Sequence, residues 1–353
     1  MENENNEKVI DSRAVALDPG TMFFQIAEQN QDGSLDFKTI RNAFVELDAS
    51  EDIEQVLNQN SWQYISDGKK FYVIGEDSMR VARMFPGKVE LRRPMQDGIL
   101  NKGEDKKMLV LSKMIEDSVG YSKDDKSVVC ICVSSECVDS NMDNTFHKAR
   151  LEGMLKRLKW NVKVIEEGHA VVLSERPIMV DKDGTDIPYT GIGISFGAGR
   201  TNCVLAYRGL QVIGMSVNRA GDWIDRKVSE QTDTPLSQIT NIKETKLNFN
   251  NIDYDDDVIF ALDAYYRSMI EYVFKNFAKR FVEVKSQFEA PIDIVIAGGT
   301  SMPEGFDSLI KDVVNRLDLP FSIKEVRRAE EPRHAVSKGC LTQAIITRKK
   351  ILE

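Results

Sequence analysis

The sequence predicts an α/β protein built from two similar domains, and three observations carry that reading. Each half contains a glycine-tipped hairpin: residues 14–27, AVALDPGTMFFQIA, and residues 192–205, IGISFGAGRTNCVL. In both, two apolar runs flank a turn that glycine makes possible. In the first half, the apolar run 128–133 (VVCICV), helical spacing over 141–160 and an apolar run at 162–165 give the order strand, helix, strand, which implies a parallel pair. In the second half, the strand 292–297 runs directly into Gly298-Gly299-Thr300-Ser301, the kind of turn at which α/β sheets bind ligands.

The elements follow in order. Residues 1–13, MENENNEKVIDSR, read as a disordered polar tail without apolar residues at helical spacing, so no membrane contact is expected through them. Residues 29–68 are more polar and irregular, with a short helix at 51–60, and read as a small subdomain inserted in the first sheet. Residues 71–84 return as strand then helix, and 106–118 as a helix. The helix within 141–160 has Asn141 or Asp143 as its cap. The Pro, Gly and Asp content of 176–189 marks a connector. The expected division is therefore domain I, 14–175 with 335–353, and domain II, 176–334 with a small subdomain inserted at 226–289. Within that insert, the stripe of Leu262, Tyr266, Met269, Val273 and Phe277 on a long helix reads as core packing.

Composition narrows the function classes. The 353 residues are 42% hydrophobic, enough for two cores, and no apolar run approaches membrane-spanning length. A net charge of −9 and the lack of a basic tract with interleaved aromatics argue against direct nucleic-acid binding. The five cysteines include no CxxC spacing and only three histidines accompany them, so buried free thiols in a cytoplasmic protein are expected rather than zinc.

Glycine tips leave backbone N–H groups uncovered, and two opposed tips can surround a polyphosphate. Asp18-Pro19-Gly20-Thr21 resembles the first phosphate loop of the actin-like ATPase superfamily, which includes actin, MreB, ParM and the heat-shock chaperone ATPases. Gly197-Ala198-Gly199-Arg200-Thr201 resembles most of the second. Residues 294–303, IVIAGGTSMP, are similar to the adenosine loop, and 333–340, RHAVSKGC, to the closing connector helix. Ala220-Gly221-Asp222 resembles the turn opening the helix after the second hairpin, and Ile242-Lys243-Glu244 the pair that contacts ribose and adenine. Glu166-Glu167-Gly168-His169-Ala170 resembles the first connector, with glycine where the family commonly has proline. Residues 92–98, RRPMQDG, resemble MreB in particular.

The resemblance spans about 15–346 and implies an actin-like fold of ribonuclease H-like domains with an interdomain nucleotide cleft. It also implies ATP or ADP with Mg²⁺ as cofactors. Asp18 then holds the metal through water. Gly20, Thr21, the loop 197–201, Gly221, Lys243, Glu244, Gly298, Gly299, Thr300 and Met302 hold the nucleotide.

Two positions depart from the family. Where the second hairpin usually opens with aspartate, this chain has Ser195, which carries no charge to hold a metal's water shell. The family also places a glutamine or glutamate that positions the lytic water on the helix after the strand 128–133. Here that register holds Thr145, Phe146 and His147, with Asn144 or Asp143 as alternatives one turn away. Asp18, Ser195 and Asn144 are therefore the catalytic candidates, and slow or impaired hydrolysis is expected. The implied function is a prokaryotic-type actin-like protein that binds ATP and assembles with itself into filaments. The alternatives are a non-polymerising adaptor comparable to PilM, serving an unidentified protein partner, and more remotely a small-molecule kinase.

Overall fold

The computed structural model describes residues 12–30, 32–85, 87–100, 105–140, 144–175, 178–180, 183–287 and 291–353. The first half runs β1 (Ala14–Pro19), β2 (Phe23–Gln29), β3 (Leu35–Arg41), β4 (Phe44–Asp48), α1 (Glu51–Gln59), β5 (Tyr64–Ser66), β6 (Lys70–Ile74) and α2 (Gly75–Met84). It continues through the short pair β7 (Met95–Gln96) and β8 (Ile99–Leu100), then α3 (Asp105–Val119), β9 (Val128–Val133), α4 (Thr145–Arg157), β10 (Asn161–Glu166) and α5 (Glu167–Glu175). The second half has β11 (Ile178–Val180), β12 (Asp186–Pro188), β13 (Gly191–Phe196), β14 (Thr201–Tyr207), β15 (Leu210–Val217), α6 (Gly221–Thr232), α7 (Leu236–Thr245) and α8 (Asp257–Phe281). It closes with β16 (Ile292–Ala297), α9 (Phe306–Val314), β17 (Ile323–Arg328) and α10 (Ala335–Leu352).

Two five-stranded sheets repeat one plan: β10-β9-β1-β2-β3 and β15-β14-β13-β16-β17. In each, the opening hairpin is antiparallel and its first strand lies parallel to the next long strand, β1 on β9 and β13 on β16. Strand β9 is buried along its whole length, which is why it reads as an unbroken apolar run. Within each sheet the parallel arrangement brings strand carboxyl ends to one side: β1, β9 and β10 in the first, β13 and β16 in the second, with β10 running directly into α5.

The sheets meet through α5 and α10, whose small side chains join Ala14, Ala16, Cys130, Val295 and Ala297 in a shared core. Gly168 explains itself here: a Cβ on it would lie 2.8 Å from the Val204 nitrogen and 2.9 Å from the Gly193 oxygen. A bulkier residue at this point of α5 would push the connector off the second sheet. Gly339 of α10 is pressed against the Ala170 backbone in the same way.

The structure corrects the element boundaries in three places. The excursion expected at 29–68 begins later, because β3 pairs with β2 over seven residues and extends the main sheet. Its mostly exposed, polar sequence suits an edge strand and disguises it. The separate sheet is β4-β6-β5, with its own small core of Val45, Leu57, Phe71, Val73 and Val81. Over 226–289, α6, α7 and α8 do not have a separate core: Ile224, Ile239, Tyr266 and Phe277 pack with the second sheet. Helix α7 itself occupies a stretch that is polar in sequence. Of the expected tail, residues 1–11 lie outside the described residues, whereas Arg13 is held by Glu28 at 2.6 Å and stacks over Trp160. The capping candidates Asn141 and Asp143 also lie outside the described residues. All five cysteines are buried free thiols.

Candidate functional site

A cleft of about 690 Å³ opens between the two sheets where their strand ends converge. It is bounded by the tips of β1–β2 and β13–β14, the turn after β16 and the end of α7. The first tip is braced from behind: the Asn42 side chain donates to the Gly20 carbonyl at 2.9 Å, and the Gly98 amide donates to the Thr21 hydroxyl at 3.1 Å. The second tip closes by Gly197 N–H to the Arg200 carbonyl, 3.0 Å. Gly221 and Asp222 at the start of α6 donate to the carbonyls of Gly197 and Ala198, and Thr300 Oγ1 donates to Gly197 at 2.7 Å. Gly298 has φ +97°, and a Cβ there would strike the Phe196 backbone, so this turn accepts only glycine. The two tips touch: a Cβ on Gly199 would sit 2.5 Å from both Thr21 Oγ1 and the Gly98 nitrogen.

The floor of the cleft holds two carboxylates. Asp18 ends β1 and accepts from the Cys132 thiol at 3.1 Å. Glu167 is the first residue of α5 and accepts from Ser134 Oγ at 3.1 Å and from Ser195 Oγ at 3.2 Å. Burial raises Asp18 to about 6, against the pull of the Cys132 bond. Burial first, and the Asp18 charge second, raise Glu167 to about 7. Two half-buried acids that repel one another, each at a strand end and lining one cavity, form a site short of positive charge. Hard oxygen donors of this kind suit a hydrated magnesium ion. Among the described residues, no three His, Cys, Asp or Glu side chains are grouped to hold a metal directly.

Most sequence-predicted residues line this one cleft: Asp18, Gly20, Thr21, Ser195, the run 197–200, Lys243, Glu244, the run 298–300 and Met302. Three do not. Thr201 is fully buried and its hydroxyl donates to the Arg219 carbonyl. Gly221 lies behind the second tip, its amide on Gly197. Asn144 is not among the residues lining the cleft; its amide group donates to the carbonyls of Ser134 and Ser135 at 2.7 and 2.8 Å and accepts from Arg200. It borders a separate polar groove of about 1320 Å³ with Lys148, Lys163 and Arg280. These bonds make Asn144 a brace between the two halves, and in the register 145–147 His147 is buried, receives the Leu100 amide at 3.3 Å, and is pushed down to about 4 by burial and by Arg200.

Lys243 lines the cleft but its ammonium is committed, to Asp225 at 2.6 Å and to the Gly221 carbonyl at 3.1 Å. Its neighbour Glu244 is exposed. At the rim, Arg93 pairs with Asp222 at 2.8 Å and so joins the first domain to α6.

Glu167 is the residue that the sequence motifs missed as a site group. It stands in the connector motif itself, Glu166-Glu167-Gly168, whose resemblance to the first connector assigns its acids no site role. The usable signal was the position directly after a strand end, at the first turn of a helix that must cross between the sheets.

The comparisons agree with this geometry. No curated protein matches the chain in sequence. Among solved structures, the MamK double helical filament superposes with a TM-score of 0.64 at 16% identity, covering 94% of this chain and 98% of that one. MreB5 of Spiroplasma citri bound to ADP gives 0.66 at 13%, covering 97% and 99%, and the AMPPNP-bound form gives 0.64 at 12%, covering 97% and 98%. At these identities the likeness establishes the actin-like two-domain fold. The Volactin family profile matches residues 14–344, and the chain belongs to the Volactin family.

Proposed function

We propose that this chain is a cytoplasmic actin-like cytoskeletal protein that binds ATP or ADP with Mg²⁺ in the interdomain cleft and assembles with copies of itself into filaments. The observation that carries the reading is the convergence of three glycine turns on one cleft whose floor holds Asp18 and Glu167. Backbone amides of the two tips offer donors to the phosphates, and the turn 298–302 with Glu244 offers the surface for the adenosine end. Asp18 and Glu167 hold the hydrated cation, which would neutralise charge on the transferred phosphate. Glu167 also orients and accepts a proton from the attacking water, a task suited to a carboxyl raised towards neutrality. The related MreB5 has been solved with ADP and with AMPPNP and MamK as a filament, which supports both halves of the reading by analogy.

Ser195 keeps hydrolysis slow. It presents a neutral hydroxyl to Glu167 where a carboxylate would add charge for the metal. That same substitution favours a second reading, a nucleotide-loaded platform that docks a protein partner without polymerising. Titration calorimetry with ADP and ATP analogues, followed by negative-stain microscopy of the same sample with and without ATP, tests both. Saturable binding with filaments supports the first reading. Binding with single particles at every concentration supports the second, and no binding at millimolar nucleotide contradicts both.

A further inference from the structure

We propose that the Arg200 side chain receives the terminal phosphate of a bound nucleoside triphosphate and so makes the cleft favour triphosphate over diphosphate. This rests on the nucleotide reading above and goes beyond it by assigning the discrimination to one side chain. Arg200 is the one charged residue in the hairpin 191–207. Its side chain is 2% exposed and lies across Gly98, where a Cβ would come within 2.8 Å of its Cγ and Cδ. It borders the cleft beside Gly199 and Thr21, at the place where the two hairpin tips touch.

Its bonding is half complete. Nη1 donates to Asn144 Oδ1 at 2.9 Å, a neutral acceptor, and Arg200 forms no ion pair among the described residues. Nε and Nη2 are buried and have no acceptor among the described residues. These two nitrogens form one edge of the guanidinium, the fork that meets two oxygens of a phosphate or carboxylate side by side. A buried cation whose fork is empty is strongly unfavourable, and a polyanion completing it would recover that cost on binding. With the base towards Glu244 and Gly299 the phosphates of a bound nucleotide run towards the tips, and the terminal phosphate of a triphosphate, not that of a diphosphate, is the group assigned to this edge. Asn144 also ties Arg200 to the carbonyls of Ser134 and Ser135. The same segment bridges the domains where Cys137 pairs with Ser216.

The test is calorimetric titration, with Mg²⁺, of AMPPNP, of ADP, and of ADP with inorganic phosphate, against wild type, Arg200→Gln and Arg200→Lys. Wild type should bind AMPPNP more tightly than ADP. Arg200→Gln should lose about ten- to a hundredfold in AMPPNP affinity, the worth of a charge-assisted bidentate contact, while ADP changes less than about threefold. Inorganic phosphate should tighten ADP binding in wild type and not in Arg200→Gln. Arg200→Lys keeps the charge without the fork and should lose most of the preference. If circular dichroism finds Arg200→Gln unfolded, Arg200→Lys decides, and full preference in that variant overturns the inference. Equal loss for both nucleotides in Arg200→Gln, or equal binding of both by wild type, overturns it while leaving nucleotide binding standing. Wild type binding neither nucleotide overturns the nucleotide reading itself.

Discussion

The two hairpins that face one another across the cleft are alike in shape and unlike in charge. The first carries Asp18 near the end of β1, a half-buried carboxylate held by a thiol. The second has Ser195 at the equivalent strand end and Arg200 three residues past the tip's first alanine-flanking glycine, so its charge is positive and buried. Glu167 stands between them, bonded to Ser195 and repelled by Asp18. The lesson is that one backbone device, repeated, can carry side chains of opposite charge: a carboxylate at the end of the first strand and a guanidinium just past the second tip.

Joining the tips by a side chain should break the comparison most severely. Gly199→Val would drive its branched carbon into Thr21 and the Gly98 backbone, so we expect nucleotide affinity to fall by about a hundredfold or more, with an overpacking cost of about 1–3 kcal/mol in thermal melts. Calorimetry that finds unaltered affinity would show that the tips do not hold the phosphates.

The carboxylate side is tested by pH. Asp18 and Glu167 are raised in the folded chain to about 6 and about 7, so the folded protein retains protons that the unfolded chain has released. Without nucleotide or metal, stability from these groups is greatest at low pH and is lost as pH rises from about 4 through 7. Asp18→Asn should remove its part of that decline and stabilise the unliganded protein at pH 8 by on the order of 3 kcal/mol. Parallel urea melts of wild type and variant from pH 5 to 8 read the difference; a constant offset would refute the buried-acid account.

A smaller effect sharpens the hairpin contrast. Ser195→Ala removes one bond to the Glu167 carboxylate and should cost about 1 kcal/mol. Ser195→Asp adds a third acid to the floor, and should destabilise the metal-free protein more than the alanine while gaining more from Mg²⁺ in thermal-shift assays. The smallest effect belongs to the rim. Arg93→Ala breaks a partly exposed pair with Asp222 and should change stability by less than about 1 kcal/mol, while speeding nucleotide release in a fluorescent-nucleotide chase.

The sequence was most legible where backbone chemistry leaves a residue signature. Glycine tips, the apolar run of β9 and the turn after β16 could be placed from it, because few residues tolerate those conformations or that burial. Partnership was far less legible. Lys243 looked like a ligand contact, yet its ammonium meets Asp225 of a neighbouring helix, a pairing set by how α6 packs on α7. Asn144 stood near the expected catalytic register but is consumed by three partners brought together only in the folded chain. β3 escaped notice because an edge strand exposes most of its side chains and need not alternate in polarity. Glu167 was hidden for the opposite reason: its residue type does not distinguish a half-buried acid at a helix start from a solvated one, and only its place directly after a strand end does.

Phosphate release by Glu167→Gln, measured beside nucleotide affinity on the same preparation, tests the central claim most directly. The account predicts that turnover falls by about a hundredfold or more, as expected when a water-orienting carboxylate is neutralised, while affinity for an ATP analogue in the absence of Mg²⁺ does not fall. Wild-type turnover in Glu167→Gln would contradict it.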